Sequence, residues 1–247
     1  NIMSKIGKKL YSQAKKIIPG GNQFLSKRPE MFLPNQWPSY YKKSNGIKIW
    51  DLNNKCYEDF SIMSIGQCSL GYSNPQVNNA VKKAINSGST STLNSEEEVK
   101  LADKLLKIHK GMEMVRFGKT GGEACAIAVR IARAATGRSK IIASGYFGWH
   151  DWYLASNLKN KKSLDKLLLP GLDTAGVPKE LKGTTLALKH GDLDGLKRIF
   201  SKNRNKIAGI ILEVQRNRSP NLEFLQLARK LCNKYKSVLI FDEVSSG

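Results

Sequence analysis

The sequence predicts an α/β protein: a three-layer, mostly parallel sheet with a small N-terminal α+β segment. Three observations carry that expectation. Short apolar runs recur between residues 140 and 242, and continuous apolar runs mark strands buried on both faces, as in parallel sheets. Stretches with helical periodicity separate them, which is the βαβ pattern. Two of the runs end in acids, at Glu213 and Asp242. Open α/β sheets hold ligands just beyond the carboxyl ends of their strands.

Residues 4–18 place Ile6, Leu10, Ala14 and Ile17 on one stripe, an amphipathic helix ended by Pro19, Gly20 and Gly21. From about 37 to 72 the pattern is β-like, with runs at 40–41, 47–50 and 56–60. Turn residues at 44–46 and 51–54 separate these runs as hairpin connections would. Asn74 and Pro75 open a helix carrying Val77, Ala80, Val81 and Ile85. Ser95, with Glu98 three residues on, reads as a capping box for the next helix. Strands are then expected at 114–117, 140–144, 184–187, 207–213 and 237–242. Helices are expected at 122–136, near 163–168, at 192–202 and at 220–235. Residues 1–70 are the expected N-terminal segment and residues 71–247 the α/β domain.

The formal charge of +21 invites a nucleic-acid reading. The lysines argue against it: Lys5, Lys8, Lys9, Lys159, Lys161 and Lys162 are scattered, without interleaved aromatics or a recognition motif. No apolar run reaches the roughly 18–20 residues that span a bilayer. The cysteines, Cys56, Cys68, Cys125 and Cys232, lie far apart with no CxxC and no nearby His at zinc-ligand spacing. A reduced cytoplasmic protein without a metal centre is expected.

Three constellations carry chemistry. The first is 116–124, a Gly-rich turn opening a helix, where Thr120, Gly121 and Gly122 are placed to cradle a single phosphate on free backbone N–H groups. A plain helix-capping turn is the alternative. A nucleotide P-loop is excluded by spacing, because Glu113 stands where that motif needs its first Gly. The second is 145–152, where Tyr146, Phe147, Trp149 and Trp152 crowd a Gly-bearing loop after a strand. Such rings stack on a planar ligand or simply pack a core. His150 here reads as a structural hydrogen-bonding residue rather than a base. The third is the pair of strand-end acids, Glu213 and Asp242. A strand-end salt bridge would account for Glu213, but an acid following the apolar run 238–241 asks for a cationic partner.

A planar heterocycle with one phosphate and a ring cation fits all three, and pyridoxal 5'-phosphate is that molecule. A carboxylate at Asp242 would keep its ring nitrogen protonated and the ring an electron sink. On these residues the chain resembles the class III aminotransferases of the fold-type I pyridoxal-phosphate superfamily, especially their glutamate-1-semialdehyde aminomutase branch. The family's early signature appears as Asp51, Tyr57 to Phe60 and Leu70 to Pro75. Its phosphate turn appears as Thr120 to Ala124, followed by a helix ending in Thr136, Gly137 and Arg138. Its ring-stacking loop appears as Tyr146, Phe147 and Gly148, and its Asp-Glu-Val as Asp242, Glu243 and Val244. The resemblance implies the superfamily's large domain and amino transfer through the cofactor, within a homodimer and without nucleic-acid or membrane partners. It assigns Thr120, Gly121, Gly122, Tyr146, Phe147, Glu213, Asp242 and Val244 to cofactor binding, with Asp242 catalytic. Phe147 stands where a His is usual, Gly122 where a hydroxyl residue is usual, and Val214 follows Glu213 in place of Pro. The family's Schiff-base lysine falls beyond residue 247, so a fragment inactive by itself is expected. An inactive homologue, or a decarboxylase or racemase on the same fold, is the alternative.

Overall fold

The computed structural model describes residues 5–61, 63, 66–165, 167, 171–215, 219 and 221–247. Its backbone divides into two compact units, Asn1–Leu101 and Ala102–Gly247.

In the first unit, helix α1 (Lys5–Ile17) buries Tyr11 and Ala14 and leaves Ile6, Leu10 and Ile17 exposed. Strands β1 (Tyr41–Asn45), β2 (Lys48–Asp51) and β3 (Cys56–Glu58) form an antiparallel sheet in that order. Asp51 fixes the β2–β3 turn. Its Oδ1 accepts from the Asn53 and Lys55 N–H groups at 2.8 and 2.9 Å, and its Oδ2 accepts from the Tyr57 hydroxyl at 3.2 Å. Burial pushes its pKa up, but these donors outweigh burial and hold the carboxyl below its ordinary value. Helix α2 (Pro75–Asn86) starts because the Asn74 side chain accepts from the Gln76 and Val77 N–H groups. Its stripe of Val77, Val81 and Ile85 stays exposed. Helix α3 (Glu96–Ile108) begins in the first unit and ends in the second, and carries Glu96, Glu97 and Glu98 in its first turn, where the helix dipole favours negative charge. Ser95 Oγ caps it by accepting from the Glu97 N–H at 3.3 Å, one residue earlier than the expected capping box.

The second unit contains α4 (Gly121–Thr136), β4 (Lys140–Ser144), α5 (Asp151–Leu154), β5 (Thr185–Ala187), α6 (Leu193–Lys202), β6 (Ile207–Glu213), α7 (Leu222–Tyr235) and β7 (Val238–Asp242). The sheet order is β5-β4-β6-β7, with every pairing parallel. Side chains alternate between the two faces of a strand. Ile141, Ala143 and Ile211 therefore pack against Val129 and Ala132 of α4, while Ile142, Ile210 and Leu212 pack against α6 and α7. This is the expected three-layer arrangement. Ala208 joins the α4 face out of step because the β4–β6 ladder shifts register beside it, where Lys140 pairs with Ile207 and Ile141 with Gly209.

Two expected elements differ. Residues 114–117 have no regular structure and join no ladder among the described residues, and Met114 is 90% exposed. A strand needs a neighbour as well as an apolar run, and no neighbour pairs here. Residues 163–165 and 167 form turns rather than a helix, and 166 and 168 lie outside the described residues. The helical turn sits earlier, in α5 and the 3-10 turn Ala155–Leu158. Among the described residues no helix is long and apolar enough to cross a membrane, and no cluster of His, Cys, Asp or Glu is arranged to hold a metal.

Candidate functional site

Helix α4 begins at the diglycine because Thr120 caps it. Thr120 Oγ1 accepts from the Glu123 N–H at 3.2 Å, and Glu123 Oε2 accepts in return from the Lys119 and Thr120 N–H groups at 2.8 and 3.1 Å. This is the capping box that a Thr-x-x-Glu spacing encodes. Capping and anion binding are therefore compatible. Glu123 takes the donors just outside the helix, while the Gly121 and Gly122 N–H groups, without carbonyl partners inside the helix, face out at its positive end.

The strand-end acids reach the same rim by alternation. Glu213 lies two residues beyond Ile211, and Asp242 two beyond Ile240. Both of those residues pack on the α4 face, so both acids project there. Glu213 and Asp242 are register partners on adjacent strands. Asp242 Oδ1 accepts from the Val244 N–H at 3.0 Å. Its Oδ2 accepts from the Sγ–H of Cys125, on the first turns of α4, at 3.5 Å. Burial first, then the Asp242 charge, pushes the Cys125 thiol up to about 12, so it remains a neutral donor. The same chain reversal carries Val244 to the diglycine turn: a Cβ on Gly121 would lie 3.8 Å from Val244 Cγ2.

The aromatic loop closes the rim. Gly145 has φ +150°, and a Cβ there would come within 2.7 Å of Glu213 Cγ, so the backbone crosses directly over that acid. The Tyr153 hydroxyl fixes the loop by donating to the Gly145 carbonyl at 2.8 Å. Tyr146 is half-buried and edge-on to Tyr153, with ring centroids 6.0 Å apart. Phe147 departs from the group. It is 1% exposed, stacked on Trp152 and edge-on to Tyr153, so its ring is committed to the core. Further along, a Cβ on Gly122 would lie 3.0 Å from both Cδ2 and Nε2 of His150, which brings His150 over the diglycine turn.

Thr120, Gly121, Gly122, Glu213, Asp242 and Val244 thus share one rim with the loop that carries Tyr146. Two outward amides and a carboxylate, surrounded by glycines that leave the backbone bare, suit a flat heterocycle with an anionic tail. Sequence reasoning missed Cys125. Its partner is 117 residues away, and no local spacing announces such a contact.

The family model for Aminotransferase class-III matches residues 34–247. The chain belongs to the class-III aminotransferase family. Among its relatives is a 3-aminobutyryl-CoA aminotransferase of Cloacimonas acidaminovorans, 33% identical over 96% of this chain and 55% of that protein. Another is a glutamate-1-semialdehyde 2,1-aminomutase of Syntrophobacter fumaroxidans, 35% identical over 96% of this chain and 54% of that protein. A solved transaminase with PLP bound superposes with a TM-score of 0.84 at 26% identity, covering all of this chain and 57% of that one. The chain spans about half the length of the curated relatives it matches. The family's fold accounts for the parallel sheet and for the position of the rim at the strands' carboxyl ends.

Proposed function

We propose that these residues are the cofactor-binding part of a pyridoxal-phosphate-dependent enzyme of amino transfer, an aminotransferase or a glutamate-1-semialdehyde 2,1-aminomutase-type enzyme. One observation carries the reading: the Asp242 carboxylate and the Gly121–Gly122 turn lie on one rim, linked through Cys125 and Val244. The class-III relatives, and the PLP bound in a structural relative, support the cofactor's identity.

On this reading the Gly121 and Gly122 amides and the Thr120 hydroxyl receive the phosphate. Thr120 Oγ1 uses a lone pair for the cap and keeps its O–H to donate. Tyr146 lies against the ring, Val244 packs on it, and Glu213 shapes the rim beneath Gly145. Asp242 holds the proton on the ring nitrogen. The bound cofactor supplies an electron sink for the carbon that gains or loses the amino group. Small-molecule amino donors and acceptors, a homodimer and a cytoplasmic location belong to the same proposal. So does the division into an N-terminal segment 1–70 and a cofactor-binding portion 71–247.

Asp242→Ala in the full gene product tests it. Removing one partner of a partly buried ion pair costs about 3–5 kcal/mol. Amino transfer, followed by coupled product detection, should therefore fall on the order of a hundredfold or more, with the circular dichroism spectrum retained. Unchanged turnover would overturn the assignment of Asp242.

A further inference from the structure

The aromatic loop brings a titratable side chain to the diglycine turn that the functional reading has not used. His150 Cδ2 and Nε2 both lie 3.0 Å from the point where a Cβ on Gly122 would stand, a separation that real Cβ atoms seldom tolerate. The bareness of Gly122 is therefore what admits the ring. Gly148 has φ +89°, and a Cβ on it would lie 3.3 Å from Gly122 Cα, so the loop backbone also packs on the turn. His150 occupies the N-cap position of α5 but makes no side-chain cap bond. Trp149 stacks on the imidazole, with centroids 5.1 Å apart and planes 20° from parallel, which holds the ring's orientation. Gly122 itself offers an amide and no side-chain donor.

We infer that His150 is a phosphate-binding residue of this site. Its Nε2 edge, seated over Gly122, donates to the phosphate held by the Gly121 and Gly122 amides. It thereby supplies the side-chain donor that position 122 lacks. The inference rests on the cofactor reading above and adds to it that the aromatic loop binds the cofactor's anionic tail as well as its ring. Glycine at 122 and histidine at 150 then form one unit: a side chain at 122 must displace the ring, and loss of the ring leaves space that a short hydroxyl side chain can fill.

The test measures retention of pyridoxal 5'-phosphate and of pyridoxal, which lacks the phosphate, by the full gene product. Protein fluorescence titration compares wild type, His150→Ala, His150→Gln, Gly122→Ser and the Gly122→Ser/His150→Ala double variant. A hydrogen bond to a charged group predicts that His150→Ala weakens pyridoxal 5'-phosphate about tenfold or more and leaves pyridoxal unchanged. His150→Gln, which keeps a donor, should recover part of the loss. Gly122→Ser alone should weaken the phosphorylated form, and the double variant should bind it better than either single variant. Equal loss of both ligands in His150→Ala, or loss of neither, would overturn the role of His150. A wild-type protein that retains neither ligand, or holds both equally, would overturn the cofactor reading and this inference with it.

Discussion

Both oxygens of Asp242 already have protein partners of unequal strength. The Val244 N–H is an ordinary donor, while the Cys125 thiol is a weak one. A weak donor orients the carboxylate without neutralising much of its charge, which leaves Oδ2 able to face a cation. The neutrality of the thiol depends on its burial, and that has a direct readout. Cys125 and Cys232 are both buried, and burial is the leading cause pushing each up to about 12. Since the thiolate is the reactive form, both should resist alkylation at neutral pH. Cys56 is exposed and Cys68 half-buried. Peptide mapping after brief iodoacetamide treatment of native protein should find label on Cys56 and Cys68, with Cys125 and Cys232 labelled only after unfolding. Early labelling of Cys125 would mean that α4 does not seal against Asp242 as described.

At the scale of elements, the sheet is held at the end opposite the site by Arg138. Helix α4 closes on Gly137 in the left-handed conformation, φ 65°, and the chain then turns Arg138 across the start of the sheet. Its Nη1 donates to the carbonyls of Ile207, Tyr235 and Lys236 at 3.1, 2.7 and 3.2 Å, joining α4, β6 and the end of α7. Arg138→Ala should therefore destabilise the second unit by about 1.5–3 kcal/mol, read as a lower urea midpoint. Cofactor affinity per folded molecule should hold, because the clamp lies at the far end of the strands; a selective affinity loss would refute this. Buried strands such as 140–144 and 207–213 were legible because each is an apolar run that meets its neighbours on both faces. Glu213 and Asp242 were legible because period-two alternation sends both to one side. The irregular segment 114–117 was not, since its short apolar pattern says nothing about whether a neighbouring strand exists. Nor were α5 and the 3-10 turn that follows it legible: Trp152, Tyr153, Ala155, Ser156 and Asn157 are all buried, so no polar face exposes a helical period. The contacts of Cys125 with Asp242 and of His150 with Gly122 depend on loops returning to one rim, which local spacing does not encode.

For the whole molecule, acid acts on the first unit through carboxylates that backbone N–H groups and hydroxyls hold. In the first unit, Glu30, Asp51 and Asp59 are carboxyls held below their ordinary values. For Glu30 the leading cause is its own backbone N–H, followed by the Tyr11 hydroxyl, which donates to it at 2.8 Å. For Asp59, burial works in the opposite direction, but donation from Ser61 and Tyr72 outweighs it, the Tyr72 hydroxyl lying 2.5 Å away. A carboxyl with a depressed native pKa contributes stability above its unfolded pKa, about 4. That contribution is lost as pH falls through the native value, because the unfolded state then binds protons more readily. The chain also enters acid with a formal charge of +21, so each protonated carboxylate adds to its self-repulsion. Lowering the pH from 7 to 3 should therefore release the amides of β1–β3 before those of β6, which is sealed between two apolar layers. Hydrogen exchange with mass spectrometry on peptides covering 41–58 and 207–213 makes the comparison. If β6 loses protection first, the turn carboxylates do not set the acid limit, and the weak point must be sought among the groups that seal the large sheet.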